Sequence, residues 1–241
     1  KHIILWFVHR RVQELFKMDL HVHTVRGSTD SSLLPSELII EAARIGLDGV
    51  LLAEHGGGWT TQTLSEDFCN TNLVVIPAIE VTTDMGHIIA IGLDSHVSGI
   101  HKLSTLRKVV DRIDGILIAA HPMRNFFNRP PYNTNLLYKD WEKSPESIQE
   151  AAEHEVFKLV DYLEVTNGAN SDTENQFTKE MSNLMGLRGT GGSDSHSKQG
   201  LGKSLTVFET PITDKVSLIQ QLKKGAFYPA EGLNIGNLRK F

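Results

Sequence analysis

The sequence predicts a single α/β domain with a largely parallel sheet covered by helices. Two observations lead there. A chain of 241 residues is long enough for one sizeable core and short for two independent ones. Short apolar runs, bounded by Gly, Pro and polar residues, also alternate with stretches of helical periodicity along most of the chain.

The expected strands cover residues 19–23, 49–54, 73–79, 87–93, 115–120, 160–165, 187–192 and 204–208. The first helix is marked at both ends. Pro35 suits its first turn, Leu38, Ala42 and Ile45 recur at helical spacing, and Gly46 can adopt the left-handed conformation that closes it. It joins the first two strands in a βαβ unit. Further helices are expected near 102–112, 145–159, 172–185 and 214–224. Residues 125–143 are rich in Asn, Pro and aromatics without periodicity. They read as a long loop, either a substrate-contacting lid or a variable surface excursion.

Residues 1–17 hold an apolar stretch, 3–8, between basic residues. It is too short for a membrane span or a signal-peptide core, and no small-residue cleavage site follows. Met18 stands directly before the first chemical motif. Residues 1–17 are therefore expected to be a non-catalytic extension, such as an extra packed helix, ahead of a domain spanning 18–241.

The formal net charge of −5, without a block of like charges, argues against a nucleic-acid-coating surface and against a polybasic membrane contact. A nuclease with local basic residues stays open. The lone Cys69 allows no internal disulfide and no cysteine-rich zinc site, and it fits a reducing, cytoplasmic setting.

The histidines carry more information, because they gather beside Asp, Glu and Gly at the ends of apolar runs. In Asp19-Leu20-His21-Val22-His23, two imidazoles one residue apart face the same side of a strand. Alone, such a pair is more often structural than ligating. Repetition changes the weighing. His55, Glu80 and His121 each end an apolar run, and Asp194 and His196 repeat the alternate-residue spacing in Gly192-Ser193-Asp194-Ser195-His196. The C-terminal edge of parallel strands is where loops converge and sites assemble. Imidazole with carboxylate suits Zn²⁺, Mn²⁺ or Fe²⁺, and so many ligand-type residues exceed the needs of one four-coordinate ion. Two or three ions sharing bridging carboxylates follow, an arrangement that characteristically serves phosphoryl displacement.

The ordered motifs Asp19-Leu20-His21-Val22-His23-Thr24, Glu54-His55, Ile79-Glu80, Ala120-His121-Pro122 and Gly192-Ser193-Asp194-Ser195-His196 resemble the PHP family, the polymerase and histidinol phosphatase superfamily. Intermediate text agrees, as in Pro35-Ser36-Glu37-Leu38 and Gly46-Leu47-Asp48-Gly49-Val50. The resemblance implies a distorted, TIM-like (β/α)7 barrel of seven strands with a di- or trinuclear Zn, Mn or Fe site at the strand C-termini.

Carried over by position, it implies His21, His23, His55, Glu80, His121, Asp194 and His196 as ligands, with Glu80 bridging. Asp30 is the expected further ligand, although the chain reads Gly27-Ser28-Thr29-Asp30-Ser31 where the family often has Ser-Asp-Gly. Glu54 stands where Asp is common. Next to His55 on a strand, it should point away and support rather than ligate. His87 opens a strand shortly after Glu80 and joins the ligand set, and Glu164 is placed in or near the site. His2, His9, His96, His101 and His154 read as surface or packing residues.

The expected reaction is hydrolysis of a phosphate ester by metal-bound hydroxide. Arg124 would steady the phosphate, with Arg26 a weaker candidate, and Asp194 or a neighbouring histidine such as His196 would assist proton transfer. Trp59, after Gly56-Gly57-Gly58, would either stack on a base or pack against the barrel rim. A small phosphomonoester or nucleotide is the expected substrate. The alternatives are 5′-to-3′ cleavage of short oligonucleotides, a non-catalytic metal-binding module, and carbamate or amide hydrolysis at the same centre.

Overall fold

A computed structural model describes residues 15–241 apart from Pro130 and Asn133. The extra helix expected within 1–17, with His2 and His9, falls largely outside the described residues. Strand β1 (Phe16–Val22) already includes Phe16 and Lys17. It is followed by α1 (Pro35–Ile45), β2 (Gly49–Glu54), α2 (Thr61–Phe68), β3 (Val74–Thr83), β4 (Gly86–Ile91), α3 (Leu103–Arg112) and β5 (Ile116–Ala119). Then come α4 (Ile148–Ala152), β6 (Tyr162–Asn167), α5 (Asp172–Met185), β7 (Gly189–Gly192), β8 (Ser204–Phe208), α6 (Lys215–Lys224), β9 (Phe227–Glu231) and β10 (Arg239–Lys240).

The ten strands of the described residues form one sheet in the order β10-β9-β8-β1-β2-β3-β4-β5-β6-β7. The sheet is mixed rather than largely parallel. Pairs β1/β2, β2/β3, β5/β6 and β6/β7 run parallel. A tight turn after Thr83 instead reverses the chain, so β4 lies antiparallel to both β3 and β5. The β8–β9–β10 meander adds antiparallel strands beyond β1, which takes the total past the seven expected. The sheet curls until its β7 end returns to β1. Ser195, just past β7, bridges Val22 in parallel, and the Gly191 N–H donates to Thr206 Oγ1 at 2.9 Å.

The helices follow their local signals. α1 begins at Pro35, buries Leu38 and Ala42, and stops at Gly46, whose φ of 71° is the left-handed conformation that glycine adopts without strain. The helix expected over 145–159 breaks into α4 and a 3-10 turn over Glu155–Lys158. His154 is the cause: its backbone is extended, its Nδ1 accepts the Val156 N–H at 3.1 Å, and its Nε2 lies 3.0 Å from the Leu137 carbonyl. The described residues of 125–143 form turns and bends with no helix or strand among them, as expected of the long loop.

One row of inward side chains explains where the site forms. Leu51 and Ala53 of β2, Ile76 and Ala78 of β3, Ile89 and Ile91 of β4, and Tyr162 of β6 share one buried apolar cluster. Because side chains alternate along a strand, His55, Glu80, His87 and Glu164 continue those rows at one end of the sheet. His87 opens its strand instead of ending it because β4 runs the other way, and it sits opposite Thr82.

Candidate metal centre

Glu80 lies at the middle of the cluster, 2% exposed. Its Oε1 is 3.0 Å from His121 Nε2 and 3.1 Å from His87 Nδ1. Its Oε2 is 3.3 Å from His55 Nδ1, 3.4 Å from His23 Nε2 and 3.5 Å from His21 Nε2. Asp194 faces it from the turn just past β7. Its Oδ1 stands 3.2 Å from His23 Nε2 and 3.4 Å from His21 Nε2. At the rim, Asp30 Oδ2 lies 3.3 Å from His196 Nε2 and 3.5 Å from His55 Nε2. All the expected ligand residues are thus brought together: His21, His23, Glu80, His121 and Asp194 as a buried floor, and Asp30, His55, His87 and His196 toward solvent.

The local backbone bends to achieve this. The β1/β2 register shifts between Asp19 and Val22, and His121 and Asp194 have φ of 31° and 53°. Positive φ in a non-glycine residue is sparsely populated and gathers at functional sites.

Asp19 anchors the same end. Its carboxylate accepts the N–H groups of Ser193 at 2.8 Å, Gly202 at 3.0 Å and His21 at 3.2 Å, tying β1 to the turn that carries Asp194. Burial, only partly offset by those hydrogen bonds, raises its pKa to about 6. Glu164 does not face the cluster with a free oxygen. It takes His21 Nδ1 at 2.9 Å, the His121 N–H at 2.8 Å and Asn167 Nδ2 at 2.8 Å.

The donor set suits divalent cations. Three groups each place their ligand atoms within 4.8 Å of one another: His23, His55 and His196; His21, Glu80 and His121; and His21, His23 and Asp194. His21 Nε2 and His23 Nε2 are buried without a hydrogen-bond partner, an arrangement that is costly unless something else occupies them. Burial disfavours protonation of His21, but the charges of Asp194, Glu164 and Glu80 outweigh it and hold the imidazole well above its ordinary range. Burial likewise opposes ionisation of Glu80 and Asp194. Here the charge of His21, joined for Glu80 by hydrogen bonds from His121 and His87 and for Asp194 by the charges of His121 and Arg124, keeps both carboxyls well below theirs. Protons and cations therefore compete for the same floor.

Arg124 reaches this floor. Its Nη2 is 2.6 Å from Asp194 Oδ2. Asn167 Oδ1 and Asn170 Oδ1 accept from Nη2 at 2.8 Å and from Nε at 2.9 Å, which fixes the guanidinium plane. Neither asparagine stands out in the sequence, because the end of β6 and the turn that follows it bring them to Arg124 only in the fold. Arg26 turns away from the cluster, pairing with Asp67 at 2.7 Å and lying over Trp59. Trp59 is buried and donates to Glu54, so of the two sequence expectations the rim-packing one holds.

Openings lie beside the cluster. A cleft of about 250 Å³ is lined by His55, Glu80, Thr82, His96 and His101. A pocket of about 80 Å³ is lined by His87, His121 and Arg124 on one side and by Leu136 and Leu137 of the long loop on the other.

Fold and site together define an α/β protein with a histidine–carboxylate cluster suited to divalent metal at one end of its sheet. Residues 172–227, which include Asp194 and His196, match the PHP-associated family model, so the resemblance drawn from the ordered motifs is borne out over that part of the chain. No curated protein matches by sequence.

Similar solved structures include PsfC from Pseudomonas syringae, at 18% identity over 86% of this chain and 88% of that one, with a TM-score of 0.57. A candidate metal-dependent phosphoesterase from Bifidobacterium adolescentis shows 18% identity over 86% and 96%, with a TM-score of 0.56. An amidohydrolase from Chromobacterium violaceum with bound sulfate shows 15% identity over 87% and 96%, with a TM-score of 0.54. At such identities these likenesses establish a shared fold.

Proposed function

We propose that the protein is a PHP-type hydrolase that cleaves phosphate esters with two or three divalent ions, Zn, Mn or Fe, held by His21, His23, Asp30, His55, Glu80, His87, His121, Asp194 and His196. The observation that carries this reading is the convergence of five imidazoles on the two oxygens of buried Glu80, with two imidazole nitrogens left without partners. Bound there, divalent ions supply Lewis-acid polarisation of a phosphoryl group and activation of water at neutral pH.

The chain's own residues do the rest. Arg124, clamped by Asn167 and Asn170, presents a permanent positive charge beside Asp194 to phosphate oxygens. Asp194, held ionised, is in the form that could take up a proton but not supply one, and its charge serves mainly to hold cations and Arg124. His196, partly exposed at the rim, passes protons between the floor and solvent. Glu164 orients His21 through Nδ1, so that Nε2 faces the cluster.

The modest clefts beside the cluster favour a small phosphorylated substrate, a phosphomonoester or nucleotide, over a long polymer. We read β1 to β7, returned on themselves by the Val22–Ser195 bridge, as the seven-stranded TIM-like barrel, with β8–β10 appended. We take residues 18–241 as the PHP unit because every residue of the cluster lies within it. A cytoplasmic setting accords with the lone, exposed Cys69. Among the described residues, no helix is long and apolar enough to cross a membrane.

The test is a panel of p-nitrophenyl phosphate, bis(p-nitrophenyl) phosphate and a carboxylic ester or amide, offered to metal-loaded protein. The monoester is expected to turn over fastest. Preference for the diester would move the reading to the oligonucleotide alternative, and turnover confined to the amide would replace it with non-phosphate chemistry.

A further inference from the structure

We propose that Glu54 is a positioning residue for the metal centre, acting through Ser28 to determine which nitrogen of His23 faces the cluster. This rests on the metal-binding reading of the site and adds a role for a carboxylate that the site itself does not use.

Glu54 is the last residue of β2 and has no solvent exposure. A buried carboxylate needs hydrogen-bond donors, and Glu54 is surrounded by them. The Thr24 N–H lies 3.1 Å from both oxygens and the Thr24 hydroxyl also donates. Trp59 Nε1 donates to Oε1 at 2.9 Å, and Ser28 Oγ donates to Oε2 at 2.6 Å. The last of these matters most. A serine hydroxyl has one proton, and the carboxylate, which only accepts, takes it. The lone pairs of Ser28 Oγ are then left for the two other groups within reach, the His55 N–H at 3.1 Å and His23 Nδ1 at 3.0 Å.

With the serine proton committed, His23 Nδ1 must carry the imidazole hydrogen. Its Nε2 then keeps a lone pair, and this is the buried, partnerless nitrogen that points at Glu80 and Asp194. One carboxylate thereby sets the tautomer of His23 and pins the backbone of His55. The loops are pressed together around it. The Gly56 N–H donates to the Gly27 carbonyl at 2.7 Å, and a Cβ at Gly27 would come within 2.6 Å of Glu54 Cβ.

The experiment reads tautomers in metal-free protein at mildly alkaline pH, by ¹⁵N-edited NMR of the histidine rings, alongside Mn²⁺ and Zn²⁺ affinity by calorimetry. Wild-type protein should show His23 as the Nδ1–H form. In Glu54→Gln, and in Ser28→Ala, a measurable share should move to the Nε2–H form, with metal Kd rising about 10–100-fold, as loss of a ligand-orienting partner typically does. Should Glu54→Gln fail to fold, Ser28→Ala, which removes a single hydroxyl, carries the test. Retention of the Nδ1 proton on His23 in Ser28→Ala would overturn the proposal whatever the affinity. Since the tautomer is read without metal or substrate, that failure is separate from any failure of the phosphoesterase reading.

Discussion

Glu80→Ala is expected to lose more than about 100-fold in affinity for divalent ions, and at least as much in phosphate-ester hydrolysis, a larger effect than loss of a residue that only orients a ligand. Its two oxygens lie within 3.5 Å of five imidazoles, those of His21, His23, His55, His87 and His121. Removing it leaves those imidazoles without the carboxylate they converge on, and takes away one of the charges that raise the His21 pKa in the metal-free state. Metal counted by elemental analysis after dialysis, compared with turnover, checks this. Full metal content in Glu80→Ala would show that the carboxylate does not bridge.

Arg124→Ala should behave differently, with metal content close to normal and kcat lower by about 10²–10³, the range for losing one preorganised donor to developing charge. The guanidinium is already aimed by two asparagines and pays little to be ordered. Arg124→Lys should recover only part of the loss, because an ammonium cannot reproduce the planar, forked contact. Unchanged kcat in Arg124→Ala would reduce the residue to an ion-pair partner of Asp194.

Much of this centre was legible because strand geometry repeats. Leu51-Leu52-Ala53-Glu54-His55 and Ile76-Pro77-Ala78-Ile79-Glu80 each alternate inward and outward, so the ligand-type residue continues the row of core side chains, and Glu54 had to turn outward. Pro35 and Gly46 bounded α1 for equally local reasons.

What stayed hidden depends on contacts between distant segments. The short apolar run that became β4 looked like any other strand, and only its pairing reveals that it runs backwards. β9 and β10 carry Pro229 and mixed polar residues, and they gain strand structure by pairing with β8 and with each other. Helix α2 carries only a faint local signal, the Thr60–Thr63 capping box ahead of Leu64 and Phe68. Asp19 stood in the first motif without an assigned role, since the N–H groups it accepts lie as far along the chain as Ser193 and Gly202.

The most direct measurement is hydrolysis of p-nitrophenyl phosphate by chelator-stripped protein before and after addition of Mn²⁺ or Zn²⁺, with bound metal counted in the same samples. The expected result is negligible turnover without metal, restored as two or three ions bind per chain. Undiminished hydrolysis by fully stripped protein, or stoichiometric binding with no turnover of any phosphate ester, would contradict the assignment of this histidine–carboxylate cluster as a metal-dependent phosphoesterase centre.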